Sequence, residues 1–326
     1  MMKSRIEAAR YFAKILLIVF VAVACDFSTG PPNGHPPPCP AICDTLDFIN
    51  QDSTVQMSLY AITEDYILMV VGEYAKSINK YTAVYRRSDN KIMPLPFHAG
   101  DLQHGKVLYR DAWGIKEVDL EGGAESRIAA GYLYPSYSAD SSYIFIRHIG
   151  ATYKFYRSSG EIIKIMDKDN LREYKPGQYI YYDYGFHLYN EHTGVSERIE
   201  TTGLSRSQYF GGVQYPDWDL DSRNDRLIVH MWTVLGDVFD NRLFMIDLEK
   251  RSAYQLLGRT DDVYTPRFSC NSELYVTRVC QPSRESYIIK VDPLTGCERI
   301  VVTARMNADG STEFWSANMF SGARHR

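Results

Sequence analysis

The sequence has few of the features that identify an enzyme or a nucleic-acid-binding protein. It contains no Lys/Arg-rich run, and its formal net charge is only −4, with both signs scattered along the chain. A groove for nucleic acid requires clustered positive charge, so no nucleic-acid partner is predicted. The P-loop, G-x-G-x-x-G and H-E-x-x-H motifs do not occur, and neither does the G-x-S-x-G elbow of a hydrolase domain. We therefore predict no cofactor, no metal site and no catalytic residues.

Helical patterns are scarce as well, whereas aromatic residues are abundant. No convincing helical stretch occurs between Ser53 and Thr303, and 45% of the residues are hydrophobic, which is enough for a sizeable core. The chain contains 25 Tyr, 14 Phe and 4 Trp. Aromatic side chains suit the half-buried surface of a pleated sheet, although tyrosine is also common on binding surfaces. The composition therefore favours an all-β protein, with strand packing accounting for most of the tyrosines.

Residues 1–24 have the pattern of an export signal. A basic start is followed by ten apolar residues, Ile15–Ala24, which are far fewer than the ~20 needed to cross a bilayer as a helix. The sequence Ala-Val-Ala-Cys that ends at Cys25 resembles the lipobox of bacterial lipoproteins, and this resemblance implies that lipid is attached to Cys25. The alternative is ordinary cleavage after Ala24, since Ala-Val-Ala also fits the small-x-small rule, and it would leave Cys25 as a free thiol.

Residues 25–52 are predicted to form a flexible tether. Asp26–Cys43, which reads DFSTGPPNGHPPPCPAIC, is rich in Pro, Gly and small polar residues and cannot build a core. An exported chain permits disulfides, and Cys39 and Cys43 are close enough in sequence to pair. A zinc site is disfavoured because the chain has no C-x2-C and no paired histidines. One pair plus one free thiol is expected among three cysteines of a single predicted repeat, Cys270, Cys280 and Cys297.

A repeated pattern of proline, short aromatic strand, polar turn and apolar strand predicts a series of β-hairpins. It occurs at Pro135–Ile146 (PSYSADSSYIFI), at Pro216–Val229 (PDWDLDSRNDRLIV) and at Thr265–Val279 (TPRFSCNSELYVTRV). Asp, Asn and Ser favour the turn because their side chains cap it and tolerate unusual backbone angles. A second strand–turn–strand segment follows each hairpin, as in Arg242–Leu257 and Tyr287–Val302.

Four strands per unit, repeated roughly every forty residues, indicate a β-propeller, whose blades cannot bury their faces alone. We predict a six-bladed propeller of four-stranded antiparallel blades over residues 53–303, followed by a tail over residues 304–326. Five or seven blades are the alternatives. The predicted blades begin near Ser53, His98, Ala129, Met166, Thr201 and Arg259.

The repeats resemble the WD-like repeat of TolB-type propellers, the periplasmic six-bladed proteins of the Tol system. That consensus reads Pro, x, Trp or Phe, Ser, Pro, Asp, Gly and then an apolar strand, but the glycine after the aspartate is missing in every copy here. The resemblance covers residues 53–303 and implies the fold, whereas it says little about function. Turn aspartates are structural in such repeats, so it implies that Asp140 and Asp221 are hairpin caps. The best-matching copy contributes Pro135, Tyr137, Ser138, Asp140 and Ile144.

Five cationic side chains follow the apolar strands of successive predicted blades and form the candidate ligand site. Equivalent strand ends of a propeller converge around its axis, so these side chains are candidates for a cationic ring that binds a carboxylate or phosphate. In the alternative, each is a separate solvent-facing residue, some pairing with Asp111 or Glu285. The family resemblance also includes polysaccharide lyases, so a lyase that uses Arg147, His148 and His230 is the competing hypothesis. The five residues are Arg110, Arg147, His148, His230 and Arg278.

Two stretches of the fifth predicted blade are further candidates. Asp219–Asp225 (DLDSRND) has carboxylates at alternate positions, as calcium loops do, but it lacks the glycine and distal glutamate of an EF-hand, so a solvated turn is predicted. Thr233–Arg242 (TVLGDVFDNR) is predicted to be a longer loop and a second contact surface. Together these features predict a non-catalytic, lipid-anchored protein of the bacterial cell envelope. Its predicted task is to hold a protein or envelope component at the membrane surface.

Overall fold

The computed structural model describes residues 55–73, 76–130, 134–138, 140–204, 216–235, 238–258, 262–280, 285–306 and 312–316. The predicted export signal with Cys25, and the tether with Cys39 and Cys43, lie outside these residues. The regular structure of the described part consists of 25 β-strands in six antiparallel sheets. None of its segments forms a helix with the length and apolarity needed to cross a bilayer.

The first three sheets, blades 1 to 3, each contain four strands in chain order. Blade 1 consists of β1 (Val55–Ile62), β2 (Tyr66–Glu73), β3 (Lys76–Arg86) and β4 (Lys91–Leu95). Blade 2 consists of β5 (His98–Gln103), β6 (Lys106–Asp111), β7 (Gly114–Asp119) and β8 (Glu125–Ala130). Blade 3 consists of β9 (Tyr134–Tyr137), β10 (Tyr143–His148), β11 (Ala151–Tyr156) and β12 (Ile162–Met166).

The remaining sheets, blades 4 to 6, follow the same order, and the last gains a fifth strand. Blade 4 consists of β13 (Leu171–Lys175), β14 (Gln178–Tyr182), β15 (Phe186–Asn190) and β16 (Val195–Arg198). Blade 5 consists of β17 (Asp217–Asp221), β18 (Arg226–Leu235), β19 (Val238–Asp247) and β20 (Ser252–Gly258). Blade 6 consists of β21 (Asp262–Phe268), β22 (Leu274–Cys280), β23 (Glu285–Val291), β24 (Glu298–Met306) and β25 (Thr312–Ser316).

The prediction of a six-bladed all-β propeller is confirmed. The first strands of the blades contact one another around the axis, as β5 and β9, β13 and β17, and β21 and β1 do. The second strand of each blade supplies much of the core, because its apolar residues are buried between neighbouring sheets. Blade 6 differs from the predicted four strands, since β25 pairs with the outer edge of β24.

Tyrosine hydroxyls join neighbouring blades at the first two seams. Tyr66 of blade 1 donates a hydrogen bond to Glu121 of blade 2 (2.8 Å), and Tyr137 of blade 3 donates one to Glu117 of blade 2 (2.9 Å). Glu117 is buried and also accepts hydrogen bonds from Arg157 of blade 3. Burial alone would raise the pKa of Glu117, but the bonds from Arg157 and Tyr137 hold that pKa below its ordinary value.

The same device recurs at the next two seams. Tyr143 of blade 3 donates to Glu173 of blade 4, and Tyr174 of blade 4 donates to Asp225 of blade 5. Burial, reinforced by these carboxylates, raises the pKa of both tyrosines, so each hydroxyl remains a donor at neutral pH. Four of the tyrosines therefore join blades through their hydroxyls as well as packing in strands: Tyr66, Tyr137, Tyr143 and Tyr174.

The ring closes between blade 6 and blade 1 without a shared sheet. Each sheet of the described part is built from strands that are consecutive in the chain. Hydrogen bonds that cross this seam include those from Leu59 N to Thr277 Oγ1 (3.0 Å) and from Arg267 Nε to Tyr60 O (2.8 Å). Most of the contact is apolar, and it includes the buried side chains of Met57, Leu59, Ile67, Met69, Tyr275, Ile288 and Val302.

Candidate functional site

The first strands of the blades surround a cavity of about 1230 Å³, and residues of all six blades line it. We call it the axial cavity. Its volume is at or above the upper end of ordinary small-molecule pockets, so it has room for a ligand or for part of a larger partner.

Two carboxylates fix the first strands around this cavity. Asp101 of β5 accepts a hydrogen bond from the backbone N–H of Tyr137 in β9 (2.8 Å), and Asp219 of β17 accepts one from that of Phe268 in β21 (2.8 Å). In both cases the donor is the aromatic residue of the Pro-x-aromatic repeat. Gly100 allows the close approach of β5 to blade 3, because a Cβ at that position would lie 2.7 Å from a backbone oxygen. The repeat signature thus positions the walls of the cavity.

Four arginines line the axial cavity: Arg110, Arg147, Arg172 and Arg267. Arg172 Nε lies 3.4 Å from Asp219 Oδ1. Arg267 donates to two backbone carbonyl oxygens, at 2.8 and 2.7 Å. The Nε of Arg147 is buried and has no hydrogen-bond partner within the part of the chain that the structure describes. Burial, followed by repulsion from Arg172, lowers the pKa of Arg147 to about 10, so the group remains a cation at neutral pH.

The predicted cationic ring is assembled only in part. Arg110, Arg147 and His148 line the axial cavity. His230 and Arg278 do not belong to its described lining, since they are buried inside blades 5 and 6 with 3% and 2% of their surface exposed. The structure therefore brings three of the five residues to the cavity, and their role in binding a ligand stays a prediction.

The physical reason lies in the lengths of the strands. His230 and Arg278 were placed at strand ends by the sequence pattern, but β18 continues to Leu235 and β22 to Cys280, so both are interior strand residues. Arg278 faces Glu298 within blade 6, with Nη1 and Oε1 3.2 Å apart. The lyase hypothesis meets the same obstacle, since His230 is not brought to the cavity that contains Arg147 and His148.

Four exposed apolar or aromatic side chains lie on one face of the propeller, and two of them, Tyr134 and Ile149, also line the axial cavity. Trp113, Ile149 and Tyr184 occupy the turns between the second and third strands of blades 2, 3 and 4, where they are 75%, 89% and 65% exposed. Tyr134 begins β9, is 65% exposed and lies 5.0 Å beneath the guanidinium of Arg110. Strands alternate in direction, so these turns and the starts of first strands lie on the same face. We call these four residues the rim.

The backbone of the rim is held in an unusual conformation. Ile149 and Tyr184 have φ angles of 44° and 48°, in the left-handed region that favours Gly and Asn. For a β-branched residue such as Ile149 this conformation is strained. Arginines of the outer strands brace two of the turns, since Arg127 donates to Trp113 O (3.2 Å) and Arg198 donates to Tyr184 O (3.4 Å). Exposed apolar residues are therefore fixed where the backbone alone would favour Gly or Asn.

Asp111, which the alternative interpretation of the sequence suggested as a partner for a ring cation, is engaged within its own turn. Asp111 Oδ1 accepts hydrogen bonds from the backbone N–H groups of Trp113 (2.7 Å) and Gly114 (3.0 Å). Its Oδ2 lies 3.0 Å from Lys116 Nζ. Asp111 thus shapes the turn that presents Trp113. The side chain of Glu285, the other suggested partner, lies outside the described residues.

The two aspartates assigned as hairpin caps lie at the turns between first and second strands. Asp140 Oδ1 accepts hydrogen bonds from the backbone N–H of Ser142 (2.9 Å) and from its hydroxyl (2.7 Å). Asp221 is buried, accepts from Arg226 (2.7 Å) within its own hairpin, and accepts from Ser272 of blade 6 (2.8 Å). Asp221 therefore joins two blades as well as closing a turn.

The carboxylates of the DLDSRND turn are each engaged by different donors. Asp219 accepts from Phe268 N, Asp221 from Arg226 and Ser272, and Asp225 from the hydroxyl of Tyr174. Within the described part of the chain, no three His, Cys, Asp or Glu side chains are grouped as metal ligands would be. The turn is thus built as a junction between blades 4, 5 and 6.

The predicted loop Thr233–Arg242 is largely strand. The strands β18 and β19 pair without interruption from Arg226 and Asp247 to Leu235 and Val238, so they form one long hairpin. The prediction of a loop was wrong because the segment continues the register of the blade. Residues 236 and 237, and the side chains of 232–241, lie outside the described part. The hairpin extends blade 5 towards the face that carries the rim.

The cysteines of blade 6 differ in state. Cys297 is disulfide-bonded, whereas Cys270 is a free, exposed thiol that lines the axial cavity. The side chain of Cys280 lies outside the described residues.

Comparisons with known proteins show the fold. No family model matches the chain, and no curated protein matches it. TolB from Acinetobacter baumannii superimposes with a TM-score of 0.54 at 12% identity, over 76% of this chain and 65% of the TolB chain. A putative TolB from Agrobacterium tumefaciens gives a TM-score of 0.44 at 10% identity over 64% and 90% of the two chains. An oligogalacturonate lyase in complex with manganese gives 0.45 at 12% identity over 80% of each chain.

The likeness to the Acinetobacter protein extends over about two thirds of that protein's length, and at this identity it concerns the fold alone. The described part of this chain is a six-bladed β-propeller with a fold similar to that of TolB.

Proposed function

We propose that this protein is a non-catalytic binding propeller of the bacterial cell envelope, which holds a partner protein on the rim. The observation that carries the proposal is the presentation of Trp113, Ile149 and Tyr184 on three adjacent blades. Exposed apolar groups on one face of a protein mark interaction sites, and the rigid blades keep these side chains in position before a partner arrives. The strained backbone of Ile149 supports a role in contact, because Asn or Gly would relieve the strain.

The envelope location is supported by the N-terminal sequence and by the TolB-like fold. A basic segment and an apolar run precede Cys25, and a Pro-rich segment follows it. In our proposal, lipid on Cys25 anchors the protein, and the tether places the propeller at the membrane surface. Each buried methylene of an acyl chain contributes roughly 0.8 kcal/mol to such anchoring.

A lyase-like enzyme is the competing function, and metal analysis separates the two. A binding propeller does not need a resident metal, whereas the lyase hypothesis places a metal beside Arg147, His148 and His230. We expect purified protein to contain less than stoichiometric manganese or zinc. A stoichiometric metal that is lost in His148→Ala would contradict the binding role.

The rim is tested by partner capture from envelope extracts with the full-length chain as bait. The rim variant combines Trp113→Ser, Ile149→Asn and Tyr184→Asn, since Asn tolerates the left-handed backbone at the last two positions. We expect the rim variant to capture at least tenfold less partner protein than the wild type does, because a few central residues supply most of the binding energy of an interface.

A control variant removes three exposed apolar side chains elsewhere on the propeller. Ile162→Thr, Val195→Thr and Leu294→Ser lie on the outer strands of blades 3 and 4 and on a turn at the opposite face. We expect this variant to capture the partner as the wild type does. Equal capture by the rim variant and the wild type, or equal loss in both variants, would refute the rim as the binding surface.

A further inference from the structure

The axial cavity contains a cationic group that the fold itself does not use. Arg147 projects from β10 into the cavity, where its Nε is buried and lacks a hydrogen-bond partner among the described residues. Leaving a buried, charged donor unsatisfied costs free energy, and native proteins rarely do so without a functional reason. A hydrogen-bond acceptor supplied from outside the chain would remove this cost.

The neighbouring groups are already engaged. Arg267 is held by two backbone carbonyl oxygens, and Arg172 lies beside Asp219. The carboxylate of Asp101 accepts hydrogen bonds from two backbone N–H groups, and burial raises its pKa. These acids therefore fix the walls of the cavity, while Arg147 retains donors for a ligand.

The charge around Arg147 selects the class of ligand. Arg172 and Arg267 repel its charge, and Asp101 and Asp169 attract it. The described lining contains four arginines and five acidic residues, so the cavity has no large excess of either sign. A doubly charged phosphate would meet repulsion from the two acids. A carboxylate carries one charge and is planar, so it matches the paired N–H groups of a guanidinium.

The position of Arg147 connects the cavity to the rim. Arg147, His148 and Ile149 are consecutive, and all three line the cavity. Two residues of strand span roughly 7 Å. A polypeptide that packs on the apolar rim can therefore reach Arg147 with a terminal or side-chain carboxylate. This argument rests on the proposed function, since it takes the occupant of the rim to be a protein.

We propose that the axial cavity is a carboxylate-binding site in which Arg147 is the recognition residue, and that the carboxylate belongs to the polypeptide held on the rim. The carboxylate is either the C-terminus of that polypeptide or an acidic side chain. These sources share one chemistry, and the probes below distinguish them.

The direct test measures the affinity of small probes for the full-length protein by ligand-observed NMR. N-acetylphenylalanine represents a C-terminus, and N-acetylglutamate α-amide represents an acidic side chain. We expect at least one of them to bind about tenfold or more tightly than N-acetylphenylalanine amide, because a charge-assisted hydrogen bond contributes about that factor. The acid that binds more tightly identifies the source. Equal binding of inorganic phosphate would overturn the assignment to carboxylates, and tighter binding of galacturonate would replace the polypeptide with an acidic sugar.

The variant Arg147→Met provides the second test. It fills the same space without the charge, so we expect the acid probe to bind about tenfold or more weakly. The melting temperature should be unchanged or higher, because removal of a buried charge that lacks a partner relieves a cost. The control is Arg251→Gln, an exposed arginine on the outer side of blade 5, for which probe affinity should be unchanged. A marked loss of thermal stability in Arg147→Met would show that Arg147 is structural and would overturn the inference.

Partner capture with the rim variant and with Arg147→Met distinguishes a failure of this inference from a failure of the proposed function. If the rim variant loses the partner while Arg147→Met keeps it at full strength and still binds the acid probe, the inference fails and the rim remains the binding surface. If the rim variant keeps the partner, the proposed function fails whatever the probes show. Both ideas are supported if each variant weakens capture and only Arg147→Met weakens binding of the probe.

Discussion

The seam between blades 2 and 3 and the seam between blades 6 and 1 are both packed with apolar side chains, but they differ in their polar contacts. At the first, buried Glu117 accepts hydrogen bonds from Tyr137 and Arg157. At the second, Leu59 packs in an apolar cluster with residues of blade 6, among them Ile288. Hydrogen bonds impose geometry and depend on charge, whereas apolar burial depends on area and filled volume. Both seams contain a buried apolar cluster, and the seam between blades 2 and 3 adds a buried carboxylate that is bound by two donors.

The largest expected effect comes from a cavity in the closing seam. Leu59→Ala should lower the free energy of unfolding by about 2–5 kcal/mol, since Leu59 is fully buried between blades 1 and 6. Urea denaturation followed by circular dichroism measures the change. The control Leu294→Ala, on an exposed turn of the same blade 6, should stay within about 0.5 kcal/mol of the wild type. Similar losses of unfolding free energy in the two variants would show that the closing seam contributes no more to stability than an exposed turn does.

A smaller effect is expected from the polar seam. Tyr137→Phe keeps the ring but removes the hydrogen bond to Glu117, while Arg157 still satisfies part of that carboxylate. The free energy of unfolding should fall by about 1–2 kcal/mol. Tyr184→Phe, at an exposed position, is the control and should cause no measurable change. A loss as large as that of Leu59→Ala would remove the contrast between the seams.

The smallest expected effect is a change in the dependence of stability on pH. The pKa of Glu117 lies below its ordinary value of 4.5 in the folded protein, so the carboxylate stabilises the fold above that value. This contribution is lost as the pH falls through the lower, folded pKa. Glu117→Gln should therefore show a shallower fall of stability between about pH 5 and pH 3 than the wild type. Glu161→Gln, at an exposed position, should keep the slope of the wild type, and an unchanged slope in Glu117→Gln would contradict the account.

The architecture could be predicted from the sequence because each hairpin is formed by residues that are close together in the chain. The Pro-x-aromatic stretches at Pro135, Pro216 and Pro266 mark first strands, and each is followed by a polar turn and an apolar strand. The period of these units predicted six blades. The fifth strand of blade 6 was not predicted, because Thr312–Ser316 carries no repeat signature.

The site was harder to predict because it depends on strand length and on backbone angles. His230 and Arg278 look like strand ends until the strands are seen to continue beyond them. Arg172 and Arg267 belong to first strands, and only the register shows that they face the axis. The rim includes Ile149, and the sequence indicates its unusual backbone only by placing an isoleucine directly before Gly150. Asn is the residue favoured at that position of the turn.

The uninterrupted blades have a consequence for how such a chain can change. In the described residues every sheet is made from one continuous stretch of sequence, and the last joint of the disc consists mainly of packed side chains. Duplicating or deleting the coding segment of one blade would therefore leave all strand pairing within the other blades intact. A propeller with one blade more or fewer would need a new set of apolar contacts only at the seam that closes the ring. The blade is therefore the unit both of gene duplication and of strand pairing.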